Sequence, residues 1–211
     1  MGAILNLEVI NVISFLSKGM ALFLVKHNII DDETCEVCQY GFEIIVSTCI
    51  GAFLVLLIGI VTQELIASVL FYSIFVGIRL FTGGYHASTH FKCKCLLCCS
   101  CLFVIIMAKF FKDIYSFYLQ EIIVILYLFS VFLYAPIEHR YAPMTGETKI
   151  ANRKRAIVIS MIIAVAQVPT YYLNKKISLI IAFSLFIVAF LMVVSKIERR
   201  ESNEQSLEKD S

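Results

Sequence analysis

The densest group of chemically reactive side chains lies between residues 79 and 93. The segment reads Arg79-Leu-Phe-Thr-Gly-Gly-Tyr-His86-Ala-Ser-Thr-His90-Phe-Lys-Cys93. A thiol beside an imidazole is the minimum for catalysis by a thiolate, because the imidazole takes the thiol proton and later returns it to a leaving amine. Lys92 and Lys94 flank Cys93, and positive charge nearby favours the thiolate. A polar loop whose histidines face lipid headgroups would contain the same residue types, so both interpretations stay open at this point.

Spacing limits which histidine can serve Cys93 as its base. On one straight helix, His86 and Cys93 would share a face but lie about 10 Å apart along the axis. A direct hydrogen bond between a ring nitrogen and sulfur needs a separation of roughly 3 Å. His90 lies three residues before Cys93 and would be its neighbour on such a helix. The base is therefore His90 on a continuous helix, or His86 if the chain bends between residues 86 and 93.

A metal site is a third interpretation of the same segment. His86, His90 and Cys93 could offer two imidazoles and a thiolate to zinc. The metalloprotease motif of this spacing needs a Glu directly after its first His, and here that residue is Ala87. Because the general base of that motif is missing, we do not expect a catalytic metal. We expect no other cofactor.

The remaining cysteines do not predict a disulfide framework. Five of the eight crowd into nine residues: Cys93, Cys95, Cys98, Cys99 and Cys101. Cysteines this close in sequence cannot all reach bridging geometry with one another. Cys35 and Cys38 form a CxxC pair, but no second pair with zinc spacing accompanies it. We therefore expect packing roles for Cys95, Cys98, Cys99 and Cys101, and a structural use for Cys35 and Cys38.

The elements that must position the reactive segment are predicted to be membrane helices. Of the 211 residues, 60 % are apolar and 16 % are charged, and the mean hydropathy is +0.86. Soluble domains carry about 25 % charged residues, so this chain could not cover a surface that faces water. The net charge of +2, without interleaved basic and aromatic residues, indicates that nucleic acid is not a partner.

Six apolar runs are long enough to cross a bilayer, or nearly so. They cover residues 41–62, 65–80, 95–111, 116–135, 156–173 and 177–195. Several have only 16–18 residues, which indicates a thinned bilayer or partial, re-entrant spans. The predicted fold is all-α, a polytopic membrane helix bundle that forms a single membrane domain over residues 1–197, with its membrane segments within 41–195.

The two ends of the chain differ from this pattern. Residues 1–40 are predicted to be an interfacial region, because polar residues interrupt the apolar positions of 4–25 as they do in an amphipathic helix on a membrane surface. Residues 198–211 have no apolar face and are predicted to form a disordered tail.

Charge predicts the orientation of the spans. Six spans place the N-terminus, the 79–94 loop, the 136–155 loop and the C-terminal tail on one side of the membrane. Fourteen of the eighteen Lys and Arg residues fall on that side. By the positive-inside rule it is the cytoplasmic side, and the reactive segment lies there.

The 79–93 segment resembles the signature of the AgrB family, the membrane peptidases of Gram-positive peptide quorum-sensing systems. That signature has an Arg, a Gly two residues before a His-Ala pair, and a Cys seven residues after that His. Here these are Arg79, Gly84, His86-Ala87 and Cys93. The chain length, the several spans and the late basic loop with prolines at 135–155 are also similar to the family.

The resemblance implies a cysteine endopeptidase in the bacterial cell membrane. By it, Cys93 is the nucleophile, His86 is the base, and Arg79 and Gly84 support the site. The enzyme would cut the C-terminal part from a small precursor peptide of the AgrD type and keep the rest as a thioester on Cys93. An internal Cys or Ser of the peptide would then close a thiolactone or lactone ring, giving an autoinducing peptide. The resemblance also implies a homodimer.

The resemblance also implies where the precursor would bind. The family's precursors have an amphipathic leader, which would lie in membrane lipid on the same side as the site. They also have an acidic C-terminal segment, which would meet a basic run formed by Arg153, Lys154 and Arg155, together with Arg140 and Lys149. Membrane topology alone would explain the same run.

Two other functions remain open on the sequence. A peptide exporter or transporter without peptidase chemistry would be favoured by ionisable residues within the spans, yet the span centres are almost purely apolar. A membrane scaffold without chemistry would not need Cys93. Asn152 and Glu138 are candidates for a third catalytic group, and the sequence selects neither.

Overall fold

The computed structural model describes the backbone of residues 2–82, 90–111, 117–136 and 146–209, and side chains within most of that backbone. Its elements are seven helices, with no strand among the described residues. They are α1 (Gly2–Lys26), α2 (Asp32–Val61), α3 (Leu65–Thr82), α4 (His90–Phe110), α5 (Phe117–Tyr134), α6 (Gly146–Leu173) and α7 (Lys175–Lys209). The all-α prediction is confirmed.

Six of these helices are long and apolar enough to cross a membrane, as predicted. They are α2 to α7, with apolar stretches at Thr34–Val61, Leu65–Thr82, Cys93–Phe110, Phe117–Tyr134, Gly146–Leu173 and Lys175–Ile197. The three shortest have 18 residues, which is ~27 Å of helix against a hydrocarbon core of ~30 Å. α2 and α6 begin earlier than predicted, at Asp32 and Gly146, because their charged N-terminal turns remain helical outside the apolar stretch.

α7 forms the centre of the bundle. In the most apolar 18 residues of its span 67 % of the residues are buried, against 33 % at most in the other five spans. It packs against α3, α4, α5 and α6. α1 lies at the periphery, where it packs against α2 and α4, and its interfacial location stays a prediction.

A tight turn joins α2 to α3 and fixes the direction of α3. Gln63 has a positive φ of 56°, and the N–H of Glu64 donates to the carbonyl of Gly59 at 2.8 Å, the pattern of a Schellman cap. A Cβ added at Gly59 would lie 2.8 Å from Ser68 Oγ and 3.0 Å from Leu65 Cα. The missing side chain therefore lets α3 start close against α2.

One carboxylate joins three elements at the end of the bundle opposite to the reactive segment. Glu64 binds Lys176, at the start of α7, with both oxygens 2.7 Å from Nζ. Lys109, near the end of α4, lies 3.5 Å from Glu64 Oε1 and donates to the carbonyl of Thr62 at 3.3 Å. The hydrogen bond from Lys176 holds the pKa of Glu64 below its usual value, against the opposing effect of partial burial.

Buried polar side chains join α5, α6 and α7 within the bundle. Gln167 Nε2 donates to Gln120 Oε1 and, at 3.0 Å, to Ser178 Oγ, which itself donates to Gln120 Oε1. All three side chains are fully buried. Tyr127 and Ser160 share a second buried hydrogen bond of 2.6 Å between α5 and α6. Such bonds hold helices together in a membrane, where burial of apolar surface contributes little.

The disordered tail predicted over residues 198–211 stays a prediction. α7 continues as helix to Lys209. The physical reason is composition, because this segment is rich in Glu, Arg, Gln and Lys, which have high helix propensity even without an apolar face.

Candidate active site

Two of the predicted site residues come together where α3 ends and α4 begins. Arg79 lies in the last turn of α3, and Cys93 lies in the first turns of α4. The Arg79 guanidinium lies within hydrogen-bonding reach of the Cys93 side chain and interacts with it through charge. Both side chains are half-buried. A cation beside a thiol stabilises the thiolate, which is the nucleophilic form.

Aromatic packing fixes the position of Arg79. Its guanidinium carbon lies 5.0 Å from the centroid of the Phe75 ring, one turn earlier on α3. Phe75 is buried and stacks on Phe71, with 5.3 Å between the ring centroids. Stacking on an aromatic face is a contact that a planar guanidinium makes well. The arginine is thus held by the core of the bundle on one side and by the thiol on the other.

The histidines are described only in part. α4 begins at His90, so His90 and Cys93 lie three residues apart on one helix, but the His90 side chain is outside the described residues. His86 and Gly84 lie outside them entirely. The choice between His86 and His90 as the base therefore stays a prediction.

The lysine after Cys93 does not face open water. Lys94 Nζ donates a hydrogen bond to the backbone carbonyl of Ser47 on α2. The same ammonium interacts through charge with Cys93 and with Arg79. Sequence reasoning found the charge of Lys94 but not its partner, because a backbone carbonyl on another helix gives no signal in the sequence. The side chain of Lys92 lies outside the described residues.

The other α4 cysteines occupy different environments around that helix. Cys95 and Cys99 are exposed, Cys98 is half-buried, and Cys101 is fully buried in the core. Cys35 and Cys38, near the start of α2, are half-buried and not joined by a disulfide. Among the described residues, no group of three His, Cys, Asp or Glu side chains could hold a metal ion. Cys93 thus differs from the other α4 cysteines by its contact with Arg79.

The predicted basic run lies in the N-terminal part of α6, and its residues differ in their contacts. Arg153, Lys154 and Arg155 are all exposed on α6. Arg153 Nη2 donates to the carbonyl of Phe132 at 3.3 Å, near the end of α5, so this arginine joins two helices. Among the described residues, no hydrogen bond or ion pair involves Lys154 or Arg155. Asn152 is half-buried on the same helix, and Glu138 lies outside the described residues.

Comparison with known proteins identifies the family. The family model described as Accessory gene regulator B, AgrB, matches residues 17–192. The chain is 25 % identical over 151 residues to AgrB-like protein 2 of Clostridium perfringens (strain 13 / Type A), covering 67 % of this chain and 71 % of that protein. It is 24 % identical, over the same shares, to an AgrB-like protein of Clostridium perfringens (strain SM101 / Type A). No solved structure matches the chain.

Proposed function

Because this chain belongs to the AgrB family, whose members take part in processing quorum-sensing peptides, we propose that it is a cysteine endopeptidase with Cys93 as its nucleophile and His86 as its base. The chain is a multi-pass membrane protein, and its family implies a precursor peptide of the AgrD type as its partner. The observation that carries the proposal is the contact between Arg79 and Cys93, because it gives this cysteine the cationic neighbour that a reactive thiolate needs.

The first half of the reaction cleaves the peptide. His86 takes the proton of Cys93, and the sulfur attacks the carbonyl carbon of the scissile bond. The carbon–nitrogen bond breaks, and the proton returns from the imidazole to the leaving amine. The C-terminal part of the precursor leaves, and the remaining part stays on Cys93 as a thioester.

The second half closes the ring. An internal Cys or Ser of the bound peptide attacks the thioester carbonyl, the bond to Cys93 breaks, and the enzyme thiol recovers a proton. No net oxidation occurs, so no redox partner is needed. Cyclisation must outrun hydrolysis, and a half-buried thiol at the membrane surface favours it by limiting access of water.

We place the site on the cytoplasmic side of the bacterial cell membrane. The support is the distribution of charge, since fourteen of eighteen Lys and Arg residues fall on the side that carries Cys93 and the start of α6. A cysteine introduced at Gly146, the first residue of α6, should react with an impermeant thiol reagent in inverted vesicles and not in intact cells. Labelling from outside the cell would overturn this topology.

Two further parts of the proposal concern assembly. The amphipathic leader of the precursor lies in membrane lipid beside the site, and the enzyme is a homodimer. Copies that carry two different tags should co-purify from one membrane at low expression. Purification of each tag alone would show that the chain acts as a monomer.

The experiment that tests the activity is co-expression with the precursor peptide encoded beside the gene. Mass spectrometry should find a peptide that lacks its C-terminal part and is lighter, by the mass of one water, than the linear peptide that hydrolysis would give. Cys93→Ala should give no product, and Cys93→Ser almost none, because an alcohol is a weaker nucleophile at neutral pH. Cys99→Ala, an exposed cysteine on the same helix, is the matched control. Equal product from Cys93→Ala would overturn the mechanism.

A further inference from the structure

Lys94, the residue after Cys93, contacts a neighbouring helix. It is half-buried in the first turns of α4, and its ammonium donates to the carbonyl of Ser47 on α2. A lysine near a helix end in a membrane usually extends toward headgroups and water. Here the charge turns toward a neighbouring helix instead, while it still interacts with Cys93.

α2 has a surface shaped for this contact. Gly51 is buried and lies four residues after Ser47, on the same face of α2. A Cβ added there would lie 3.5 Å from Lys94 Nζ and 3.1 Å from Leu97 Cδ2. The second distance is tighter than an ordinary contact, so an alanine would push against α4 one turn beyond Cys93. The glycine therefore lets α4 approach α2 closely enough for the ammonium to reach the carbonyl.

A second helix reaches the same part of α2. Tyr72 of α3 donates its hydroxyl to the carbonyl of Thr48 at 2.7 Å, and a Cβ at Gly51 would lie 3.5 Å from that hydroxyl oxygen. The carbonyls of Ser47 and Thr48 thus accept bonds from α4 and α3. Since Arg79 lies on α3 and Cys93 on α4, α2 aligns the two helices that carry them.

The first turn of a helix depends on such contacts. Its N–H groups have no partner within the helix, and helix ends open more easily than helix centres. We propose that Lys94 is a positioning residue for Cys93: it ties the first turns of α4 to α2 and adds a second cation beside the sulfur. This inference rests on the proposed function, because it concerns the same thiol.

Three substitutions separate the two roles of Lys94. Lys94→Arg keeps both charge and donor, Lys94→Gln keeps a donor without charge, and Lys94→Met keeps length without either. The readouts are kcat and KM for precursor cleavage, and the rate at which iodoacetamide alkylates Cys93 in a variant whose other cysteines are replaced. Lys196→Met, which removes an exposed cation near the end of the apolar stretch of α7, is the matched control.

We expect Lys94→Met to lower both kcat and the alkylation rate about tenfold, the scale of one or two net hydrogen bonds, with KM within about twofold. Lys94→Arg should recover most of the loss, and Lys94→Gln should fall between them. Gly51→Ala should act in the same direction, whereas Gly41→Ala, where an added Cβ meets nothing within 4 Å, should not. If the Lys94→Met protein fails to accumulate, the comparison of Gly51→Ala with Gly41→Ala still tests the inference.

Unchanged kcat and alkylation in Lys94→Met and Gly51→Ala would overturn the inference. Equal losses of cleavage in Lys94→Met and Lys94→Arg, with normal alkylation of Cys93, would also overturn it, because the lysine would then only fill space. Failure of the proposed function looks different. In that case the unmodified protein cleaves no precursor, while the alkylation rates still report whether Lys94 acts on Cys93.

Discussion

The guanidinium of Arg79 meets the side chain of Cys93 at the junction of α3 and α4. The two residues belong to consecutive helices, and the 83–89 segment between them contains Gly84 and His86. Phe75 contacts the same guanidinium, with 5.0 Å between the guanidinium carbon and the ring centroid, so the packing of α3 helps to place the arginine. The structure thus places the thiol and its cation on two helices, and the proposed base, His86, belongs in sequence to the segment between them.

Replacement of Arg79 by Met should reduce the reactivity of Cys93. The loss of a cation in contact with the thiolate should slow its alkylation at least about tenfold, which corresponds to ~1.4 kcal/mol. Arg79→Lys should recover only part, because a lysine cannot stack as a planar group on Phe75. The measurement is the iodoacetamide reaction rate in a variant with Cys93 as its single cysteine, with Lys196→Met as the control. Equal rates in the three proteins would contradict a role for Arg79 at the thiol.

The two histidines should differ sharply in their effect on cleavage. We expect His86→Ala to abolish product formation and His90→Ala to retain it, since the family spacing assigns the base to His86. The beginning of α4 at His90 places the other histidine on the helix, three residues from Cys93. The reverse result would make His90 the base, and full activity in both variants would remove the dyad mechanism.

The exposed basic residues of α6 should attract the acidic end of the precursor. Lys154→Glu with Arg155→Glu should raise KM about tenfold at low salt, and this effect should shrink at high salt because ions screen exposed charges. Arg153→Gln should lower the yield of folded protein instead, since Arg153 binds the Phe132 carbonyl. The measurement is KM as a function of ionic strength. A KM for the double variant equal to that of the unmodified protein would assign these charges to membrane orientation alone.

The Glu64 cluster should make the stability of the bundle depend on pH. Hydrogen bonding to Lys176 lowers the pKa of Glu64 from 4.5, so the folded state favours the carboxylate. A lowered folded-state pKa stabilises the protein above the unfolded value, and this contribution disappears as the pH falls through the folded value. Tm in detergent should therefore drop on acidification from pH 6 to below about pH 4, the range in which Asp and Glu take up protons.

A matched pair of variants isolates that effect. Glu64→Gln should lose most of this pH dependence and about 1 kcal/mol of stability at neutral pH. Glu147→Gln removes an exposed carboxylate from the first turn of α6 and should behave like the unmodified protein. If Glu64→Gln retains the full acid-induced drop in Tm, the cluster does not contribute to stability.

The sequence predicted the spans and the site residues for different reasons. Hydropathy is a local property, so six apolar runs gave six helices, and errors fell at their ends. α2 starts at Asp32 and not at residue 41, because a helix that leaves the apolar layer keeps its backbone bonds although its residues become polar. The spacing of Arg79 and Cys93 suggested a common site, and the packing of α3 and α4 brings them together.

Contacts between distant parts of the chain were beyond sequence reasoning. Lys94 and Ser47 are 47 residues apart, and the acceptor is a carbonyl that every residue has. Gln120 and Gln167 are also 47 residues apart, but amides within apolar runs are a usable signal, since a buried amide in a membrane needs a partner. The described helix to Lys209 agrees with the high helix propensity of the charged residues in that segment.

The most direct test of the account is a search for the thioester on Cys93. Purified protein is mixed with precursor, quenched in acid and analysed by intact mass. We predict an adduct whose mass equals the N-terminal part of the precursor, located on Cys93 by peptide mapping, released by hydroxylamine and absent from Cys93→Ala. Formation of the same adduct, or continued cleavage of the precursor, in the Cys93→Ala protein would contradict Cys93 as the nucleophile.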